Sequence, residues 1–288
     1  MCLAATWFVW GSTYLAIKLA LPSLPPFFQI GTRFLAAGGL LLLGAAWLGQ
    51  PMPTPAQWRN AAIVGILMLV GNTGGVAYAE QTVASGLVVA FIAVVPPLIT
   101  IASLPFGIRP SRLELLGIAL GLFGVWLLVR GDAFTASPAG VIALIVAALG
   151  WSIGSVLSQH VFPLAPAAGG FASEMICAGV VLIGLSVLTG ETVRWPLQPV
   201  AVIAWLYLVV FGSLIAFSAY MVLLARASPA LASSNSFVNP VIGLLLGVTL
   251  GGETVTSQEW LAVSIILSGV GMLILARGGA RWAFSDGE

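Results

Sequence analysis

Residues 232–240 read Ala-Ser-Ser-Asn-Ser-Phe-Val-Asn-Pro, inside an apolar run that reaches from Pro229 to Leu250. A run of that length spans a bilayer, since about 20 residues at 1.5 Å each suffice. Its first half nonetheless carries Ser233, Ser234, Asn235, Ser236 and Asn239, followed by Pro240. In hydrocarbon every unpaired amide or hydroxyl costs free energy, so these groups must face protein or water. Asn235 and Asn239 lie four apart and share one helix face. Pro240 removes a backbone hydrogen bond, frees the carbonyl of Ser236 and predicts a kink. Small polar residues also glue helices together in membranes. So many polar groups within two turns point beyond glue, to the wall of a polar cavity at mid-membrane.

The rest of the chain sets that segment among others like it. The 288 residues are 60% hydrophobic and 7% charged, with a mean hydropathy of +1.10, a balance that fits a polytopic helical membrane protein in a lipid bilayer. A net charge of +1 suggests no nucleic-acid partner. Cys2 and Cys177 both fall inside apolar spans and predict no disulfide framework. The chain opens directly in an apolar segment with neither a basic leader nor a small-residue cleavage site, so no signal peptide is expected. There is no phosphate-binding glycine loop, His160 is the lone histidine, and no metal cluster or cofactor is expected. No Ser/His/Asp constellation and no paired carboxylates within one leaflet suggest catalysis, so an enzyme is not expected.

Ten spans are predicted, near 3–20, 27–48, 59–79, 82–105, 112–130, 138–160, 167–189, 199–225, 229–250 and 257–276. With the N-terminus inside, the cytoplasmic side collects Arg59, Arg109, Arg112, Arg226, Arg277 and Arg281, against Lys18, Arg130 and Arg194 outside. That excess places both termini in the cytoplasm. The chain also repeats itself. At a shift of 141, Trp10 meets Trp151, Pro22 meets Pro163, Pro25 meets Pro166, Gly38 meets Gly179 and Gly49 meets Gly190. At 144, Pro96 meets Pro240, and at 145 Gly124 meets Gly269. An odd number of spans per unit turns the second unit upside down. The predicted fold is therefore all-α, ten transmembrane helices as two inverted five-helix repeats, 1–134 and 135–288, forming one structural unit.

Trp10-Gly11-Ser12-Thr13-Tyr14-Leu15-Ala16, followed by Arg33-Phe34-Leu35-Ala36-Ala37-Gly38, resembles the first repeat of EamA-type exporters of the drug/metabolite transporter superfamily. Val83-Ala84-Ser85-Gly86 leading to Pro96 is similar to that family's fourth helix. Gly251-Gly252-Glu253-Thr254 with Glu259, Leu261 and Gly269-Val270 is similar to its last turn and last helix. The resemblance covers all ten spans. It implies export of small metabolites from the cytoplasm across a bacterial inner membrane, amino acids including aromatic ones among them. It also implies a central cavity lined by helices 1, 3, 4, 6, 8 and 9. The family's helix-two arginine is Arg33 here, but its mate in the second half is Glu174.

The candidate cavity residues follow. Trp10 and Trp151 sit mid-span, away from the interfaces where tryptophan gathers, and are either lipid-facing bulk or flat cavity walls. Tyr14, Asn72, Ser155, Phe217, Ser234, Asn235 and Asn239 add polar and aromatic groups. Tyr78 and Tyr220, near span ends, are cavity residues or interfacial anchors. At a shift of 144, Ala90, Phe91 and Val95 stand opposite Ser234, Asn235 and Asn239, a greasy wall against a hydrogen-bonding one. A ligand with one apolar and one polar end fits that contrast. Among charges, Arg33 could pair with Glu80 and Glu174 with Arg226, as gating or coupling groups, or the long side chains could snorkel. Proton coupling would run through Glu174. Pro96 and Pro240 are helix kinks, and the Gly-x-x-x-Gly runs, including Gly243–Gly247, are packing surfaces. The expected function is secondary transport of a small-molecule substrate by alternating access, from a monomer or a dimer. A non-transporting membrane scaffold is the alternative, and hydrophobic or cationic drugs are the alternative substrates.

Overall fold

The computed structural model describes residues 1–83, 88, 91–129, 137–251 and 256–282. Ala84–Gly86 of the fourth-helix motif, Ala90, Arg130 and Glu253 lie outside them. Every regular element among the described residues is a helix. In chain order these are α1 (Cys2–Ala20), α2 (Pro26–Trp47), α3 (Pro55–Ala79), α4 (Val95–Phe106) and α5 (Arg112–Val129). There follow α6 (Pro138–His160), α7 (Ala168–Leu188), α8 (Pro199–Arg226), α9 (Asn235–Gly251) and α10 (Ser257–Trp282). Of these, α2, α3, α6, α7 and α8 are long and apolar enough to cross a membrane, and Val95–Phe106 and Trp260–Ala276 are shorter apolar stretches. The chain is a polytopic helical membrane protein.

Helix ends follow local chemistry. α2, α3, α6 and α8 each begin at a proline, where a missing N–H is no loss. Thr54 and Gln57 close a reciprocal cap on α3, and Ser137 accepts from the Gly140 amide at the start of α6. Gly49, Gly107 and Gly190, with φ of 65°, 79° and 69°, turn the chain after α2, α4 and α7.

The packing comes in matched pairs. α2 lies along α7, and α5 along α10. α1 packs on α8 and α9, α6 packs on α3 and α4, α3 touches α7, and α2 touches α8. Small residues set the closest approaches. A Cβ on Gly117 would sit 2.8 Å from the Gly269 carbonyl oxygen, and one on Gly269 would sit 2.7 Å from that of Gly117. Gly243 is different: nothing lies within 4 Å of its Cβ position, so this glycine of a predicted packing run faces open space.

Two departures from regular helix shape the interior. The middles of α3 (Ile66–Gly74) and α8 (Leu208–Ile215) wind as π-helix, at a mutual shift of 142. The predicted ninth span, 229–250, is not continuous: one turn, Pro229–Ala232, stops at Ser233 and Ser234, and α9 starts at Asn235. The hydroxyls of Ser233 and Ser234 donate back to the carbonyls of Ala230 and Leu231, at 3.3 and 2.8 Å, offering the backbone an alternative to helix.

The connection between α7 and α8 grips the turn between α1 and α2. The amides of Phe27 and Phe28, in the first turn of α2, donate to the two carboxylate oxygens of Glu191 at 3.0 and 2.8 Å. The amide of Arg194 donates to the Ser23 carbonyl and that of Gln198 to the Ser23 hydroxyl. At a sequence shift of 141, Glu191 is matched by Gln50, whose Oε1 is buried without a hydrogen-bond partner among the described residues.

Candidate functional site

The bundle encloses a cavity of about 60 Å³, room for a handful of waters. α1 supplies Trp10, Thr13, Tyr14 and Ile17, consecutive members of one helix face. α3 adds Asn72, Thr73 and Val76 from its π-wound middle and the turn after it, α6 adds Trp151, and α8 adds Phe217. Ile92 and Val95 form the apolar flank at α4, and Asn235, Ser236 and Asn239 form the polar flank at α9. Arg33 and Phe34 enter from α2, a helix the family resemblance left out of the lining.

One wall is an aromatic cluster. The rings of Trp10 and Trp151 meet edge to face at 5.3 Å, and Tyr220 lies 5.0 and 4.9 Å from them. The Trp10 indole N–H donates to the Gly212 carbonyl at 3.1 Å, within the π-wound stretch of α8. The Trp151 indole donates to the Tyr220 hydroxyl at 2.9 Å, and that hydroxyl pairs with Ser155 Oγ at 3.0 Å. Both tryptophans are thereby fixed in rotamer and tilt. The lipid-facing alternative for them does not hold, because both are buried.

The α9 flank is polar and under-satisfied. Asn239 Nδ2 donates to the Tyr14 hydroxyl at 3.4 Å, but among the described residues Asn239 Oδ1 has no hydrogen-bond partner, nor has Asn235 Oδ1. Both residues are buried. Buried amide oxygens usually find donors, so their lack here marks a place where a guest or water completes the set.

Of the residues singled out from sequence, Trp10, Tyr14, Asn72, Trp151, Phe217, Asn235 and Asn239 meet at this cavity. Ser155 and Tyr220 stand one layer behind, as braces for Trp151. Tyr220 is wholly buried and is no interfacial anchor. Ser234 accepts from the Trp7 indole at 3.0 Å and ties α1 to the break before α9. Tyr78 is part exposed and stacks on Phe27 at 5.8 Å, away from the cavity. Phe91 is half-buried against the core, and its neighbour Ile92 lines the cavity in its place.

The charges require correction. Arg33 does not snorkel and does not pair with Glu80. It is 4% exposed, its Nε donates to Ser213 Oγ at 2.7 Å, and its guanidinium lies 5.2 Å from the Phe34 ring. Both oxygens of Glu80 lack hydrogen-bond partners among the described residues. Glu174 is fully buried, and neither of its oxygens has a hydrogen-bond partner among the described residues, so no Glu174–Arg226 hydrogen bond forms. Arg226 is exposed at the end of α8, while Glu174 lies against Gly65 of α3. Pro240 sits inside α9, and Pro96 in the first turn of α4, where proline starts a helix and need not bend one. Thr13, Ile17, Phe34, Val76 and Ile92 were missed. For Thr13, Ile17 and Val76, the three- and four-residue spacing from Trp10, Tyr14 and Asn72 was the available signal.

The sequence profile of the EamA-like transporter family matches residues 1–130 and 138–275. The Escherichia coli inner membrane transporter YedA is 40% identical over 277 residues, covering 96% of this chain and 90% of that one. Dickeya dadantii protein PecM is 25% identical, over 90% of this chain and 86% of its own, and the Bacillus subtilis transporter YoaV is 24% identical over 92% of both. A solved crystal structure at 22% identity superposes with a TM-score of 0.79 across 97% of each chain, a likeness of fold.

Proposed function

Because the chain belongs to the EamA-like transporter family, we propose that this membrane transporter exports small metabolites, foremost amino acids with aromatic side chains, by alternating access through its central cavity. The observation that carries this reading is the cavity's division. Trp10, Trp151 and Phe217 offer flat apolar faces, while Asn235 and Asn239 bring unsatisfied acceptors to the same lining. A molecule with an aromatic end and an N–H-bearing end satisfies both. A scaffold has no use for unpaired amides in a buried hollow. A cationic drug fits poorly, since Arg33 already places a buried cation in the lining.

The proposed architecture is ten spans in two inverted repeats, 1–134 and 135–288. Its support is the packing: advancing every helix number by five maps the α1 contacts with α8 and α9 onto those of α6 with α3 and α4, and maps the pairs α2–α7 and α5–α10 onto themselves. The π-wound stretches fall on equivalent positions as well. Two such halves can rock about a shared site. We place the chain in the inner membrane with both termini in the cytoplasm, acting as a monomer, and assign Glu174 as the proton-coupling carboxyl.

Purified protein in liposomes preloaded with unlabelled phenylalanine or tryptophan should accumulate the labelled amino acid by counterflow. Empty liposomes and liposomes loaded with glutamate should not. Equal signals in all of them would remove aromatic amino acids from the substrate list.

A further inference from the structure

We propose that Arg33 is the carboxylate-binding residue of the cavity, and that Asn235 and Asn239 receive the ammonium group of the same ligand. This rests on the amino-acid reading above and gives each end of the zwitterion its partner.

A guanidinium buried this deeply needs an anion. Removing a cation from water costs several kcal/mol unless opposite charge and hydrogen bonds replace the hydration. Arg33 has one replacement bond, from Nε to Ser213 at 2.7 Å, and the face of Phe34. The acid best placed in sequence to neutralise it, Glu80, makes no hydrogen bond to it. Arg33 nonetheless lines the cavity, and it is held in place: the Nε bond fixes the plane of the fork, and Gly212 leaves room for its end. A Cβ at position 212 would stand 2.8 Å from Nη2. A planar, oriented guanidinium with unused N–H groups matches a carboxylate.

The acceptors come from α9. Asn235 Oδ1 and Asn239 Oδ1 are buried, unpartnered and part of the same lining. The cation and the two amide oxygens line one and the same hollow. In an α-amino acid the carboxylate and the ammonium sit on one carbon. The two halves of the bundle thus grip opposite charges: α2 the carboxylate, α9 the ammonium. The side chain is left to the tryptophan wall.

The test uses the full-length protein in detergent, with binding followed by tryptophan fluorescence and by ligand-induced thermal shift. The probes are phenylalanine, phenylalaninamide, which lacks the carboxylate, and 3-phenylpropanoate, which lacks the ammonium. In wild type, phenylalanine should bind at least tenfold tighter than either. In Arg33→Gln, phenylalanine and phenylpropanoate should weaken by roughly ten- to a hundredfold, while the cationic phenylalaninamide should hold its affinity or bind tighter. Gly212→Ala keeps the charge but displaces Nη2, so it should show the same pattern at smaller size and decides the matter if Arg33→Gln fails to fold. Asn235→Leu should weaken phenylalanine and phenylalaninamide and spare phenylpropanoate. Uniform weakening of all three probes in Arg33→Gln, or wild-type binding of phenylalaninamide as tight as that of phenylalanine, overturns the assignment. Arg33-dependent binding of phenylpropanoate without binding of phenylalanine would sink the amino-acid reading and keep the carboxylate site. Phenylalanine binding unchanged in both Arg33→Gln and Gly212→Ala would do the reverse.

Discussion

Replacing Asn235 by leucine separates cavity from glue. Asn235 is 6% exposed, at the first residue of α9, and its Oδ1 has no hydrogen-bond partner in the protein. Its loss therefore leaves no protein donor orphaned. Leucine is also favourable in a membrane-embedded segment. Asn235→Leu should insert and fold normally, with a melting temperature within about 2 °C of wild type, since no more than a few tenths of a kcal/mol is at stake. The ligand loses more. A donor brought into a hollow that no longer answers it forfeits about 1–3 kcal/mol, which is roughly 5- to 150-fold in affinity. Counterflow of labelled phenylalanine and thermal unfolding should be measured on the same preparations. If Asn235 were interhelical glue, its removal would cost about 0.6–2 kcal/mol of packing and would lower the melting temperature while transport at saturating substrate persisted. That outcome would refute the reasoning and return Asn235 to packing.

Other expectations follow from the same geometry. Tyr220→Phe keeps the ring but strips a hydroxyl that serves Trp151 Nε1 and Ser155 Oγ at 2.9 and 3.0 Å; at about 0.6–1.7 kcal/mol per bond in a membrane interior, it should lower the melting temperature by about 3–10 °C and weaken aromatic substrates as Trp151 is released. An unchanged melting temperature would mean that the two bonds carry no net stability. Glu174→Gln preserves shape in the contact with Gly65; if Glu174 is the proton-coupling carboxyl, the variant should transport at a rate indifferent to an imposed pH gradient, and an unaltered gradient response would assign the carboxyl to structure alone. A reporter active only outside the cytoplasm, fused after Gly279, should stay silent; a signal would overturn the helix count or the charge argument.

Composition and hydropathy were enough to read a helical membrane protein, because both are averages over many residues. The central cluster was also legible. Trp10, Trp151, Asn235 and Asn239 each violate what a lipid-facing span allows, and a violation is visible without coordinates. The rest depended on packing. Phe91 and Ile92 are both apolar, and only the azimuth of the segment before α4 decides which one meets the cavity. Tyr220 and Ser155 read as site residues because sequence cannot distinguish a wall from the layer behind it. The charge pairs failed for a different reason. Arg33–Glu80 and Glu174–Arg226 were matched by leaflet, but a leaflet is about 15 Å deep and an ion pair needs about 4 Å. The break at Ser233–Ser234 was hidden because an apolar run of the right length reads as one helix whether or not its backbone is continuous.

Glu191 and Gln50 give the molecule a direction that pseudo-symmetry alone would deny it. Under the alternating access proposed above, the two closed states would be distinguished by whatever must be broken to leave each. At one end two backbone N–H groups meet a full negative charge at 3.0 and 2.8 Å; at the other, the residue in the same position is a neutral amide with an idle oxygen. A difference of about 1.4 kcal/mol between those departures weights the resting populations ten to one, and charge-assisted bonds readily supply it. If the halves rock as proposed, the Glu191 end is the one expected to stay shut with no substrate and no gradient, and arrival from the far side would set the start of each cycle.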